Sequence, residues 1–526
     1  MSYTKVNASA ATLSKNRTED AITTISGMCA TCVDGCIGMC EIGKSAYRGA
    51  EMIYPQPFGI ITAASEKEYP IDYGHLTILG TAKGAHGIEE DSDKAIFPNV
   101  KLERGIGDKN KLTAGLPFII AGMGSTNVAA NNWTGLSIGA ALQGVPLTIG
   151  ENVVGMDMQS EIKNGRVVNS PGLESRIRPY QEWQIDGKGD VVLQANVEDT
   201  RLGVQEYAID KLGIKTAELK WGQGAKDIGG EVKITNLEKA QELYKRGYVV
   251  LPNPTDPNVV ESFKNGVFHE FERHSRVGMI NEEDFMSRVE ELRAAGAQRV
   301  TLKTGAYRPA DLARAIKWAS QARIDLLTVD GAGGGTGMSP WRMMNEWGVP
   351  IVELHSLTYM MAKHLDEKGE YVPDIAFAGG FTFEDMIFKG LALGAPYTKL
   401  IAMARSPLAA SMVGKTLGKH MSDNAMPVFV GRFGTTPEEV FITAPELKEL
   451  VGAERFKEMP TAAMGVYTYF SRLAQGVRQI MAGERKFNLD VITRDDVACL
   501  TRESADVTGL DYITEVDAKE VEKILG

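Results

Sequence analysis

Cysteine is nearly confined to one place in this chain. Of five cysteines in 526 residues, four fall between positions 29 and 40, and Cys499 stands alone. A disulfide framework spread through the fold is therefore excluded. No apolar run approaches the roughly 20 residues that a membrane span needs. The start, MSYTKVNASAATLSKNRTED, lacks the apolar stretch of a secretory signal. Basic charge is short too: 57 Lys and Arg against 68 Asp and Glu leave a net charge of −11. That is the wrong sign for a surface that binds nucleic acid or anionic lipid. These absences predict a cytoplasmic protein without nucleic-acid or membrane partners. In that compartment thiols stay reduced, and clustered cysteines are more often metal ligands than disulfides. The seven histidines are scattered, and no metal-histidine motif or nucleophilic triad can be assembled from them. His355, placed at a strand end in VELHSL, reads as a core histidine, while His269 and His274 read as solvent-facing.

What is present is the composition of an ordinary globular chain, 43% hydrophobic and 24% charged, long enough to bury a full core. Four regions separate along it. Residues 1–50 form a polar leader followed by the cysteine cluster. Residues 51–112 are rich in Gly, Pro, Tyr and charge, and predict irregular structure or short strands. From 113 to 440, β-type runs alternate with Gly-rich loops and helices. The runs are PFIIAGMG, VVLQANV, TAELKWGQGAK, YVVLPN, RVTLKTG, IDLLTVDGAGGG, VPIVEL, DIAFAGG and APYTKLIAMA; the helices include EEDFMSRVEELRAAGA, RPADLARAIKWASQAR and FEDMIFKGLALGA. Strands alternating with helices of this length indicate βαβ units. About eight of them, with polar residues at strand ends, favour an α/β fold with a closed (β/α)8 TIM barrel. Residues 441–526 predict a C-terminal helical region.

Two glycine loops carry the strongest chemical signal. In TVDGAGGGTGMSP, an apolar strand runs through Asp330 into Gly331, Gly333, Gly334, Gly335 and Gly337. Without Cβ atoms, backbone N–H groups can close on an anion. Gly379 and Gly380 end the strand DIAFAGG, with a helix starting near Thr382. Phosphate sites in TIM barrels are built from successive late loops and a helix N-terminus, and the phosphate of FMN suits this pair. Neither loop matches the dinucleotide fingerprint or the Walker loop. Lys303, ending RVTLK, is placed to stabilise negative charge on a reduced flavin ring. In AELKWGQGAKDIGG, Glu218, Lys220, Gln223 and Lys226 crowd one strand end. Alternate strand positions put Glu218 and Lys220 on one face, and lysines with an amide suit a carboxylate or carbonyl. Gln194 and Arg201 lie on the neighbouring strand and loop; Arg201 and Lys226 read more simply as solvated surface.

The cysteine cluster reads C-x2-C-x3-C-x3-C through Cys29, Cys32, Cys36 and Cys40, interleaved with Gly35 and Gly38. Four thiolates suit a [4Fe–4S] cluster or tetrahedral zinc. Structural zinc usually takes two CxxC pairs across a longer loop, so the compact run favours the iron–sulfur cluster over zinc, with exchanging thiols a third reading. Cys499, in VACLTRE, reads as a buried filler on a helix.

GQGAK followed by GG, then VTLK, then DGAGGGTGMSP, then AGG with downstream FKGLALGA, resembles in order and spacing the FMN-binding synthase domain of the glutamate synthase family, across residues 113–420. NLDVITRDDVACLTRESADVTG resembles the tail of shorter members. The resemblance implies a TIM barrel holding FMN, reduced through an iron–sulfur cluster, that aminates a 2-oxo acid such as 2-oxoglutarate or runs the reverse. It implies that Lys303 contacts the flavin ring and that Gly124, Ser125 and Gln194 lie near it. Gly331, Gly333, Gly334, Gly335, Gly379 and Gly380 would bind the phosphate, and Lys220 and Gln223 would face substrate carboxylates. Three departures stand out. Cys29 is internal rather than an N-terminal nucleophile, and no glutaminase domain is present. TKLIAMARSPLAASMVGK lacks the family's cluster cysteines, whose place the N-terminal four would take. LPNPTDPNVVESFKNGVFHEFERHSR replaces a family loop and implies a remodelled substrate pocket. The expected partners are a ferredoxin or other electron donor, an ammonia-supplying or amine-transfer subunit, and further copies of the chain as a homo-oligomer. The alternatives are an N-substituted amino acid synthase, such as an N-methylglutamate synthase subunit, and a flavin-free zinc scaffold.

Overall fold

The computed structural model describes residues 69–224, 232–332 and 346–526, with positions 46, 340 and 343 beside them. The cysteine cluster, Lys226, Gly333, Gly334, Gly335 and Gly337 lie outside the described residues.

Eight parallel strands close into a barrel. In chain order they are β1 Phe118–Met123, β2 Leu147–Ile149, β3 Val191–Ala195, β4 Thr216–Lys220, β5 Arg299–Thr304, β6 Leu326–Asp330, β7 Asp374–Ala378 and β8 Thr398–Met403. Each pairs with its successor and β8 returns to β1, Ile401 opposite Phe118. β3, β5 and β6 are buried along their whole length, as a sheet covered on both faces requires. Helices alternate with the strands, and their starts are written locally. Thr126 caps Asn127–Leu142, Ser170 caps Pro171–Trp183, and Asn281 caps Glu282–Ala294, whose first turn carries three acids that complement the positive end of the helix dipole. The long helix Thr461–Gly483 packs against the first and last barrel helices. Among the described residues, no helix is long and apolar enough to cross a membrane.

Several expectations shift. VPIVEL is no strand but the start of the helix Ile351–Glu367; Pro350 fixes φ at its N-cap and an amphipathic run follows. His355 therefore lies on a helix rather than at a strand end. It is fully buried, hydrogen-bonded to the Tyr73 hydroxyl at 2.8 Å and to Thr398 Oγ1 at 3.1 Å, and burial depresses its pKa. YVVLPN leaves the barrel. Val249–Leu251 joins Val232–Ile234 and Phe271–His274 in a three-stranded antiparallel sheet inserted between β4 and β5. Its place in the barrel belongs to β2, three residues too short to carry a periodic signal. Cys499 is buried as expected, but on the strand Val497–Cys499, paired antiparallel to Leu76–Ile78.

The two ends of the barrel are finished differently. A hairpin of Arg104–Ile106 and Leu112–Ala114 pushes Ile106 and Ala114 into the inner apolar cluster with Ala121, Val192, Ala376 and Leu400. It plugs the N-terminal end, where Asp374 accepts the Gly107 N–H at 2.8 Å and Asp325 that of Asp108 at 3.1 Å. Among the described residues, the C-terminal end carries no such plug and is lined by polar side chains.

Candidate functional site

The polar residues singled out on the strands converge at the C-terminal end. β3, β4 and β5 bring Gln194 opposite Glu218, and Lys220 opposite Lys303. Lys303, 5% exposed, forms an ion pair with Asp330 Oδ2 at 2.9 Å. Burial alone would lower its pKa. The charge and hydrogen bond of Asp330, with the charges of Glu218 and Glu151, instead raise it above the ordinary lysine value. The site thus holds a fixed positive charge out of water. Glu218 accepts the Gln194 amide at 2.6 Å and the Thr301 hydroxyl at 3.3 Å. Burial raises its pKa against the lowering effect of Lys303.

Lys220 pairs with Glu151 and donates to Gln223 Oε1 at 2.7 Å. Glu151, at the end of β2, escaped the sequence reading because that strand was missed; only its proximity to the glycine Gly150 marked it. Beside it, Asp199 accepts the N–H groups of Asn152 at 2.8 Å and Asn196 at 3.5 Å. Burial, with the nearby Glu151 charge, pushes its carboxyl up to about 7 against those two bonds.

Among the described residues, two buried polar atoms at this end, Gln194 Oε1 and Asp199 Oδ1, have no hydrogen-bond partner. Such atoms are costly unless something completes them. A flat heterocycle edged with N–H and C=O groups would do so, and the residues present fit a flavin ring on that count.

The glycines hold the loops around this centre. At Gly124 a Cβ would sit 2.2 Å from the Glu151 carbonyl oxygen, so the β1 and β2 ends can meet only without a side chain there. Gly379, at φ 142°, adopts a backbone that L side chains rarely reach. Gly331 N–H donates to the Ala378 carbonyl at 2.9 Å, joining the two glycine loops. They follow β6 and β7, one strand earlier than the commonest phosphate position in this fold. After β8 comes Arg405, the first residue of the helix Arg405–Ser422. A cation at a helix N-terminus opposes the dipole, and an anion between Arg405 and the Gly379–Gly380 turn would reconcile the two. The segment AMARS held that signal, a cation where an acid is normal. Ser125 precedes the helix Asn127–Leu142 at the β1 end.

Other candidates lie elsewhere. Arg201 pairs with Glu198 at 3.2 Å, half exposed. His274 sits on the inserted sheet, 3.2 Å from Glu272, and His269 precedes that sheet's last strand. Among the described residues, no group of three or more His, Cys, Asp or Glu side chains could hold a metal.

The comparisons agree with the motifs. Residues 273–412, which hold β5 to β8, match the family described as a conserved region in glutamate synthase. The chain is 26% identical over 247 residues to the glutamate synthase large subunit-like protein YerD of Bacillus subtilis (strain 168). That match covers 46% of this chain and 40% of the relative. Among solved structures, a double mutant of flavocytochrome b2 with pyruvate bound superposes at a TM-score of 0.46 and 14% identity, over 82% of this chain and 77% of that one. The flavin-binding domain of baker's yeast flavocytochrome b2 gives 0.45 and 13%, over 81% and 76%.

Proposed function

We propose that the chain is an FMN-dependent oxidoreductase of the glutamate synthase type, which joins or separates an amino group and a 2-oxo acid such as 2-oxoglutarate. The observation that carries this reading is Lys303. It is a buried, ionised lysine at a barrel mouth whose Gln194 leaves its buried Oε1 uncompleted. Lys303, Gln194, Gly124 and Ser125 would hold the flavin ring; Gly331, Gly379, Gly380 and Arg405 would hold its phosphate, together with the glycines of 333–335. Bound there, FMN supplies hydride transfer to and from the carbon that bears the amino group.

The protein's own residues do the rest. Lys303 keeps its proton and sets a positive charge where negative charge would develop. Lys220 is steered by Glu151 and Gln223, and presents its ammonium to a substrate carboxylate. Glu218 fixes the Gln194 amide so that Oε1 stays available. Burial of this group excludes water and strengthens each charge.

The four N-terminal cysteines are the proposed ligands of a [4Fe–4S] cluster, on the chemistry of four thiolates within twelve positions. Such a cluster supplies single electrons. Twenty-eight residues separate Cys40 from Tyr69. Tyr73 packs its ring 5.1 Å from Phe381, which follows the Gly379–Gly380 turn. A ferredoxin-like donor and an ammonia or amine source, free or on a partner subunit, complete the reading, in a cytoplasmic homo-oligomer.

The test is an absorbance spectrum of anaerobically purified full-length chain, with iron, zinc and released flavin quantified. Flavin bands with a broad shoulder at roughly 400 nm and about four irons per chain are expected. Flavin without iron would remove the cluster and keep the flavin reading. A colourless protein with one zinc would end both.

A further inference from the structure

The N-terminal end of the barrel holds a second charged cavity, of about 370 Å³. Three cations line it, Arg104, Lys111 and Lys399, against two carboxylates, Asp374 and Asp490. Leu391 and Ile492 supply an apolar wall. The carboxylates are partly committed: Asp374 accepts the Gly107 N–H at 2.8 Å, and Asp490 takes Arg104 at 3.0 Å. Arg104 is 8% exposed, donates also to the Lys399 carbonyl at 3.3 Å, and leaves its buried Nε without a partner. No carboxylate of the described residues lies within ion-pair distance of Lys399 or Lys111. Burial lowers the Lys399 pKa and the neighbouring Arg104 charge adds to that, ahead of any help from Asp374 and Asp490.

A half-buried lysine without an ion-pair partner, lining one cavity with a buried arginine, is an unfavourable arrangement that a bound negative charge relieves. The opening is large enough for a small organic molecule and too polar to stay dry. We propose that this cavity, at the closed end of the barrel, is a binding site for a small organic anion, carboxylate- or phosphate-headed. Lys399, Lys111 and Arg104 meet its charge, and Leu391 and Ile492 meet its body. β7 is five residues long, so this site lies about 17 Å from the mouth. Its occupant therefore does not compete with the substrate. Because Asp374 opens β7 and Lys399 belongs to β8, occupancy stiffens the two strands that lead to the Gly379–Gly380 turn and to Arg405. The site stands independently of the reaction proposed above.

Calorimetric titration of the purified full-length protein with sodium phosphate and with sodium propionate, a carboxylate without an amino or oxo group, tests this, at ionic strength held constant with sodium chloride. Saturable 1:1 binding is expected for one probe and separates the two headgroups. Lys399→Met should weaken it at least 10-fold, and Lys111→Ala, on the exposed hairpin, by a smaller factor. The absorbance spectrum of any bound flavin should not move on titration. Three results would overturn the proposal: binding of neither probe, unchanged affinity in both variants, or a spectral change showing that the anion enters the mouth instead.

Discussion

Lys303 and Lys399 both belong to barrel strands, one near the end of β5 and the other near the start of β8, yet their surroundings differ in kind. Lys303 has Asp330 at 2.9 Å and Glu218 close by, and its pKa is raised despite deep burial. Lys399 has its pKa lowered by burial first and then by the charge of Arg104. Among the described residues, Lys303 and Lys220 at the mouth each have a carboxylate in contact, and the atoms left uncompleted there are Gln194 Oε1 and, on a carboxyl pushed up to about 7, Asp199 Oδ1. At the closed end the cations themselves are under-matched. A neutral polar ring suits the first environment and an anion the second, so charge pairing, rather than charge count, separates the two sites.

Lys303→Met is the sharpest way to break this comparison. It leaves Asp330 and Glu218 buried without their cation, a loss of roughly 3–5 kcal/mol for a buried pair. Bound flavin should be lost and activity should fall more than 100-fold, read by released flavin and by turnover. The conservative Lys303→Arg should rescue stability more than activity, because a planar fork cannot replace a point charge.

A smaller effect concerns Asp199, beside the Lys220–Glu151 pair. Its carboxyl, pushed up to about 7 in the fold, would ionise near 3.9 in the unfolded chain. Between those values the folded state binds more protons, so stability falls as pH rises from about 4 to 7 and then levels off. The total is on the order of 4 kcal/mol. Asp199→Asn should flatten this slope, measured as Tm between pH 5 and 8; an unchanged slope would place the titration elsewhere.

The smallest effect is expected at the closed end. Without an added anion, Lys399→Met removes repulsion with Arg104 and should leave Tm unchanged or slightly raised, within about 0.5 kcal/mol as at ordinary surface sites. A large loss would mean that Lys399 is as tightly paired as Lys303, and the contrast between the ends would fail.

The barrel was legible because its strands are apolar runs cut by glycine, long enough for pattern to show: β1, β3, β4, β5, β6, β7 and β8 stand where those runs are. The exceptions have physical causes. β2 has three residues, too few for period. VPIVEL is apolar enough for either state, and its fate was set by packing against neighbouring helices. YVVLPN is a real strand, but no local signal says which sheet it joins.

By itself, then, the sequence determined the alternation of strand and helix, the glycine turns at strand ends and the residue types at the mouth. These are properties of a residue and its near neighbours. Tertiary structure alone decided that Glu151 meets Lys220 across 69 positions and that the Arg104 guanidinium meets the Lys399 carbonyl across 295. Closing the barrel fixes such encounters, because register and shear, rather than local propensity, choose which distant side chains share one end.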